Sequence, residues 1–188
     1  MSEKIVIVSG PSGAGKSTVC AHLLKVFPNQ LVLSISETTR QPRKDEKRGQ
    51  HYIYLSSPEE FQKRLERFHY YEWCFVHGHY YGTPRGQLDA MFRQGQVPLC
   101  DIDVNGMRRI SRLFPHHLSI FISAGDLEQL KQRLLKRSSD SPDQIQLRLE
   151  TAKEEMRAIS EFQYVVVNEK LEETLKKTEK IIMDYLNG

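Results

Sequence analysis

Cysteine is scarce in this chain of 188 residues: Cys20, Cys74 and Cys100 are widely spaced and include no C-x-x-C pair. That excludes a disulfide scaffold and a zinc ribbon, and it suits reduced thiols in a cytosolic protein, where cysteines serve as small core residues. Long apolar runs are also missing. Nothing approaches the ~20 residues of a membrane span. The short apolar stretch behind Met1-Ser2-Glu3-Lys4 is too brief for a secretory leader. No internal repeat or low-complexity tract is present. Neither charge dominates, since 27 Lys and Arg against 24 Asp and Glu leave a net +3. That suits a protein handling small polyanions and falls short of the basic face of a nucleic-acid binder. The expectation is a soluble, cytoplasmic protein with neither a membrane nor nucleic acid among its partners. At this length one domain, burying roughly 70% of its unfolded surface, is expected.

What the chain does have begins at Gly10. Gly10-Pro11-Ser12-Gly13-Ala14-Gly15-Lys16-Ser17 is a complete G-x-x-x-x-G-K-S loop, directly behind the β-branched run Ile5-Val6-Ile7-Val8. Its glycines permit the tight turn that aims successive backbone N–H groups at an anion, and the helix that follows adds its positive end. Lys16 reaches the β- and γ-phosphates, and the Ser17 hydroxyl is a ligand for Mg²⁺. Val19, Leu23, Leu24 and Phe27 supply the helical pattern that an ordinary Gly-rich turn would not need.

Strand-like runs appear at Lys4–Ser9, Leu31–Ser36, His51–Leu55, Val97–Ile102, Leu118–Ile122 and Tyr164–Val167. Several are apolar throughout, as in parallel strands covered on both faces. Ser57-Pro58-Glu59-Glu60 reads as a capping box opening a helix to about Phe68, and Ser141-Pro142-Asp143-Gln144 repeats the signal. The second helix carries Ile145, Leu149, Ala152, Met156 and Ile159 on one stripe, and an amphipathic helix follows Lys170. Strands alternating with helices predict an α/β layer fold. Residues 36–83 break that rhythm. They are rich in Arg, Tyr and His, and the strands signalled at His51–Leu55 and Tyr71–His77 leave no room for crossover helices, so the segment reads as a small, partly antiparallel insertion.

Within that insertion Arg40 and Arg43 stand three apart, and two guanidinium forks grip one phosphate dianion better than lysines do. The neighbouring Lys44, Lys47 and Arg48 read as a solvated run. Glu72 beside Trp73 can accept both the N1–H and an N2–H of guanine, an edge adenine does not present. Thr83-Pro84 reads as an N-cap and N1 pair for the next helix. Asp101 closes the run Val97–Cys100, where a core strand would deliver a Mg²⁺-holding carboxylate to the phosphates. Asp101 and Asp103 share a strand face by period two, which leaves open which serves a metal and which a base.

Taken in order, Ser36-Glu37-Thr38-Thr39-Arg40-Gln41-Pro42-Arg43, Glu46, Gly49, Tyr52, Glu72-Trp73, Gly78-His79-Tyr80-Tyr81-Gly82-Thr83 and Asp101-Ile102-Asp103-Val104-Asn105-Gly106 resemble guanylate kinase. The resemblance runs from the phosphate loop to Asn168, essentially the whole chain. It implies a P-loop three-layer α/β fold with a mainly parallel central sheet, a small mixed/antiparallel GMP-binding insertion and a helical lid. The expected division is one domain over 1–188, with core 1–35, 84–125 and 155–188, insertion 36–83 and lid 126–154. It further implies an ATP:GMP phosphotransferase using Mg²⁺. ATP would be bound by Gly10, Pro11, Ser12, Gly13, Ala14, Gly15, Lys16, Ser17, Thr18 and Asn168, the last near adenine. Arg40, Arg43, Tyr52 and Tyr81 would hold the GMP phosphate, and Ser36, Glu72, Thr83 and Asp103 would read guanine. Ser17 and Asp101 would serve the metal. Lys16, Arg133, Arg137 and Arg148 would neutralise the transferring phosphoryl group.

The chain departs from that family pattern at Glu37, where a small residue is usual, at Asp45 and His79, at Ser123-Ala124-Gly125-Asp126, and at Ser138-Ser139 in the lid. None removes a charge or donor the mechanism needs. Other readings fit worse. A kinase of some other phosphorylated acceptor has no use for Glu72, and a non-catalytic phosphoprotein-binding module has none for Lys16-Ser17. His77-Gly78-His79 and His116-His117 lack a partner at metal-ligand spacing and read as strand and loop surface.

Overall fold

The computed structural model describes residues 3–43, 46–135 and 142–188. Five strands build the central sheet: β1 (Ile5–Ser9), β2 (Leu31–Leu33), β7 (Val97–Asp101), β8 (His117–Ser123) and β9 (Tyr164–Val167), in the order β2-β7-β1-β8-β9. Every pairing in it is parallel. β1 lies at the centre, and each of its residues is buried because helices cover both faces. Alternation sorts the strand between them. Val6 and Val8 pack into one cluster with Val19 and Leu23 of α1 (Lys16–Val26), Leu130 of α5 (Leu127–Leu135), Ala152 of α6 (Pro142–Arg157) and Ile182 of α7 (Leu171–Asn187). Ile5 and Ile7 pack into the other with Leu88 of α3 (Arg85–Arg93) and Met107 and Ile110 of α4 (Val104–Leu113). Two apolar faces on one sheet make the three layers.

A second sheet takes its strands from the excursion between β2 and α3. Its order is β4-β3-β6-β5, formed by β3 (Glu37–Thr38), β4 (Ile53–Tyr54), β5 (Tyr70–Val76) and β6 (His79–Pro84). β3 and β4 run parallel, while β6 is antiparallel to both β3 and β5. His77 and Gly78, both at positive φ, turn the β5–β6 hairpin. α2 (Pro58–Glu66) covers this sheet through Phe61, which stacks on Tyr70 and Tyr80 at 4.5 and 5.0 Å.

Local signals hold where they depend on neighbours in sequence. The Ser57 hydroxyl accepts the Glu60 N–H and Pro58 opens α2, although Glu60 reaches back to Ser56 instead of to the cap residue. Elsewhere the chain differs from its signals. The strand expected over Leu31–Ser36 ends at Leu33, that over His51–Leu55 keeps only Ile53–Tyr54, and α2 stops at Glu66. Thr83 is not the cap of α3. Strand β6 runs through Pro84, which itself occupies the cap position, and the Thr83 hydroxyl turns inward to Glu72. Asp101 and Asp103 do not share a strand face, because β7 ends at Asp101 and the Asp103 carboxylate caps α4 by accepting the Gly106 N–H at 2.7 Å. Ser141, Arg137, Lys44, Asp45 and Ser138-Ser139 fall outside the described residues. Among the described residues no helix is long and apolar enough to cross a membrane.

Candidate active site

β1 delivers the chain into the glycine loop at its carboxyl end, beside β7. At Gly10 φ is +131° and a Cβ would meet the Ile122 carbonyl oxygen at 2.1 Å. At Gly15, the cap of α1, φ is +103° and a Cβ would meet Asn168 Nδ2 at 2.4 Å. Both positions therefore demand glycine. Asn168 is buried behind the loop, donating to the Ala14 carbonyl at 2.7 Å and accepting from Thr174 Oγ1 at 3.1 Å. Pro11 and Ala14 are buried within the loop, while Gly10, Ser12, Gly13, Gly15, Lys16 and Ser17 line the cleft. Thr18 is exposed on α1. The Lys16 ammonium donates to the loop's own carbonyls, Gly10 at 2.6 Å and Pro11 at 3.3 Å, within the same cleft.

Asp101 ends β7 opposite the loop and lines the same cleft. Its surroundings push its carboxyl up from the ordinary carboxylate range, with Lys16 pulling the other way. Ser17 and Asp101 are oxygen donors of the kind a hard divalent ion takes.

Across the cleft the second sheet and its loop bring Ser36, Arg40, Arg43, Tyr52, Glu72 and Tyr81 to the same space as the loop. Arg40 Nε donates to Tyr81 Oη at 3.2 Å, and its guanidinium lies 5.3 Å from the Tyr52 ring centre. Glu46, whose role its sequence position does not reveal, organises this group. Its Oε1 accepts from Arg40 Nη2 at 2.8 Å, while its Oε2 accepts the Arg43 N–H at 2.8 Å and the Tyr54 hydroxyl at 2.7 Å. Burial works against the Glu46 charge, but these bonds hold its carboxyl down to about 2. Burial likewise works against the Arg40 charge, and Glu46 and Tyr81 more than offset it.

Glu72 on β5 is 3% exposed. Its Oε1 accepts from Thr83 Oγ1 at 2.5 Å, and its Oε2 is buried with no hydrogen-bond partner. Burial raises the carboxyl to about 7, with the Thr83 bond opposing and Asp103 reinforcing the rise. A buried acceptor left unpaired costs about 1–3 kcal/mol. Thr83 is itself fully buried and holds Glu72 from behind, away from the cleft wall.

The two described arginines from the stretch 126–154 expected to act on the phosphoryl group separate. Arg148 lines the cleft and donates to Ser12 Oγ at 2.8 Å. Arg133 instead donates to the Asn168 carbonyl at 2.6 Å and is not among the cleft's lining residues. On the same helix as Arg148, Glu155 also faces the cleft, its carboxyl raised to about 7 by burial against the pull of Lys16. Nothing in the run Lys153-Glu154-Glu155 distinguishes it from its exposed neighbour. Cys74 too corrects the sequence reading: Cys20 and Cys100 are core residues as expected, but Cys74 lines the cleft two residues along β5 from Glu72.

A glycine loop facing two arginines and a buried carboxylate across one cleft matches a known pattern over the whole chain. The family model for guanylate kinase matches residues 2–185. The chain belongs to the guanylate kinase family. It is 38% identical to the guanylate kinase of Campylobacter jejuni, across 96% of this chain and 88% of that protein. It is 41% identical to the guanylate kinase of Helicobacter pylori, across 95% and 84% respectively. The crystal structure of guanylate kinase from Anaplasma phagocytophilum superimposes with a TM-score of 0.79 at 30% identity, over 97% of this chain and 86% of that one. Against the family pattern, Glu37 is not an idle change. It is 4% exposed and bonded to Arg64 at 2.6 Å and to Tyr70 Oη at 2.6 Å, which ties β3 to α2 and β5.

Proposed function

We infer that this guanylate kinase family member transfers the γ-phosphoryl group of ATP to GMP, giving ADP and GDP. Lys16 and the loop hold the donor phosphates, with Asn168 bracing the loop from behind. Arg40 and Arg43, fixed by Glu46, align the acceptor phosphate together with Tyr52 and Tyr81. Phosphoryl transfer needs little beyond alignment and charge stabilisation. No separate base is required, because the acceptor is an ionised phosphate oxygen. Arg148 at the loop mouth would join Lys16 in stabilising the charge that develops on the transferring group, and Arg133, with Arg137 outside the described residues, would add to it from the lid expected over 126–154. Ser17 and Asp101 would hold Mg²⁺, which when bound with ATP neutralises charge on the phosphate oxygens.

The observation that carries the acceptor's identity is Glu72 Oε2, buried and unpaired. An oxygen in that state is satisfied by a ligand N–H, and the N1–H and N2–H of guanine supply a pair of them to one carboxylate. Ser36 and Asp103 border the same pocket. We extend the reading to dGMP, since the groups that support it address base and phosphate. The protein would supply GDP to purine nucleotide metabolism in the cytoplasm. ADP release measured with GMP, dGMP, AMP, UMP and CMP tests this. Turnover should be confined to GMP and dGMP and should require Mg²⁺, while comparable rates with AMP would refute the assignment of Glu72.

A further inference from the structure

Cys74 has no part in the chemistry above, yet it reaches the cleft. Glu72 and Cys74 alternate on β5 and so share a face, and Asp103 caps α4, which packs against that strand. One ligand atom from each of Glu72, Cys74 and Asp103 lies within 4.8 Å of the other two. A Cβ at Gly106 would stand 2.9 Å from Glu72 Oε2 and 3.2 Å from Asp103 Oδ1, so both carboxylates press on one point of the α4 backbone. Glu72 Oε2 is buried there without a partner. Arg109 of α4 acts electrostatically on both Glu72 and Cys74, but its hydrogen bond is directed elsewhere. It donates to the Trp73 carbonyl and sits 5.0 Å over the Trp73 ring.

We propose that Glu72, Cys74 and Asp103 form a binding site for a borderline divalent cation such as Zn²⁺, and that this ion competes with guanine for Glu72. A mixed sulfur and oxygen donor set suits Zn²⁺ or Cd²⁺, whereas Mg²⁺ takes oxygen alone. Donor atoms around a tetrahedral Zn²⁺ stand roughly 3.3–3.5 Å apart, so these three need draw in by little more than an ångström, with water as fourth ligand. On binding, the Cys74 S–H bond breaks, its proton leaves to solvent, and the thiolate sulfur bonds the metal. The site would make acceptor binding, and not the phosphate loop, sensitive to such ions. Its competitive half rests on the reading of Glu72 as the guanine acceptor, while its binding half does not.

The test titrates the chelator-treated full chain with Cd²⁺ and follows thiolate-to-metal charge-transfer absorbance. One ion per chain is expected in the native protein. Cys74→Ser should abolish the band while its melting curve shows a folded chain, and Glu72→Gln should weaken binding at least ~10-fold. GMP should displace Cd²⁺ at concentrations where AMP, which chelates the metal comparably in solution, does not. A band persisting in Cys74→Ser, or unchanged affinity in Glu72→Gln, would overturn the site. Intact Cd²⁺ binding with GMP no more effective than AMP would overturn the competition and leave the metal site standing, and the kinetics of GMP and AMP in Glu72→Gln then decide the guanine assignment separately.

Discussion

The four-stranded sheet buries a carboxylate on each of two strands, Glu37 on β3 and Glu72 on β5, to nearly the same degree, 4% and 3% exposed. Their surroundings differ completely. Glu37 is surrounded by donors: Arg64, the Tyr70 hydroxyl and His69 all bond it or lie within ion-pair distance. Glu72 has one neutral donor, Thr83, and a buried oxygen with none. A carboxylate whose needs are met inside the protein holds strands together. One whose needs are left unmet stores a cost that a ligand can remove, which is the usual arrangement at binding sites.

That contrast sorts mutations into those that move kinetics and those that move melting. Lys16→Ala is the largest case on the kinetic side. We expect kcat to fall at least about a hundredfold with the KM for GMP little changed, because the ammonium meets only donor phosphates and their developing charge. Near-normal kcat would mean that the loop does not serve a kinase. Arg40→Lys keeps the charge but loses the fork that Glu46 and Tyr81 orient. Steady-state kinetics should show KM for GMP raised roughly tenfold or more, a smaller loss in kcat and ATP affinity spared. Weakened ATP binding with unchanged GMP binding would break the division of the cleft into donor and acceptor sides.

Glu37→Gln should do the reverse. Losing the charged acceptor for Arg64 costs about 1–3 kcal/mol, visible as a lower melting temperature, with the ratio of GMP to AMP turnover unchanged. A further effect follows Glu72 through its dependence on pH. The folded state holds the Glu72 proton to about 7, against 4.5 for the ordinary carboxyl. Between those values the folded chain binds more protons than the unfolded one, so the contribution of Glu72 to stability falls as pH rises through this window. Glu72→Gln removes that loss. Its melting temperature relative to the native chain should therefore climb by a few degrees from pH 5 to pH 8, and a flat difference would show that Glu72 is satisfied without ligand.

What could be read from the sequence was what neighbours decide. The glycine loop is a contiguous turn between strand and helix, and the strand and helix alternation follows from apolar periodicity. Arg40 and Arg43 stand three apart in one loop, a spacing that suits a shared anion, and both line the cleft. The rest depends on partners far along the chain. Thr83 before Pro84 reads locally as a cap, but the β5–β6 register sets it opposite Glu72 and spends its hydroxyl there. Asp101 and Asp103 look like strand neighbours because period two is blind to where a strand stops. Glu37 finds its partners 27 and 33 residues away, and Glu46 stands in its motif without a role until Arg40, Arg43 and Tyr54 converge on it. Cys74 reads as core because its alternation with Glu72 matters only once that face of β5 borders a cleft.

The claim on which all of this turns is that Glu72 reads the base and does not merely support its strand. Glu72→Gln keeps the shape but offers an NH₂ toward guanine donors. The deciding measurement is kcat/KM for GMP and for AMP in this variant and the native chain, with melting curves of both at pH 8. The expected result is a loss of at least ~3 kcal/mol in GMP selectivity, more than a hundredfold, with no drop in melting temperature. An unchanged GMP to AMP ratio in a chain that melts lower would contradict it.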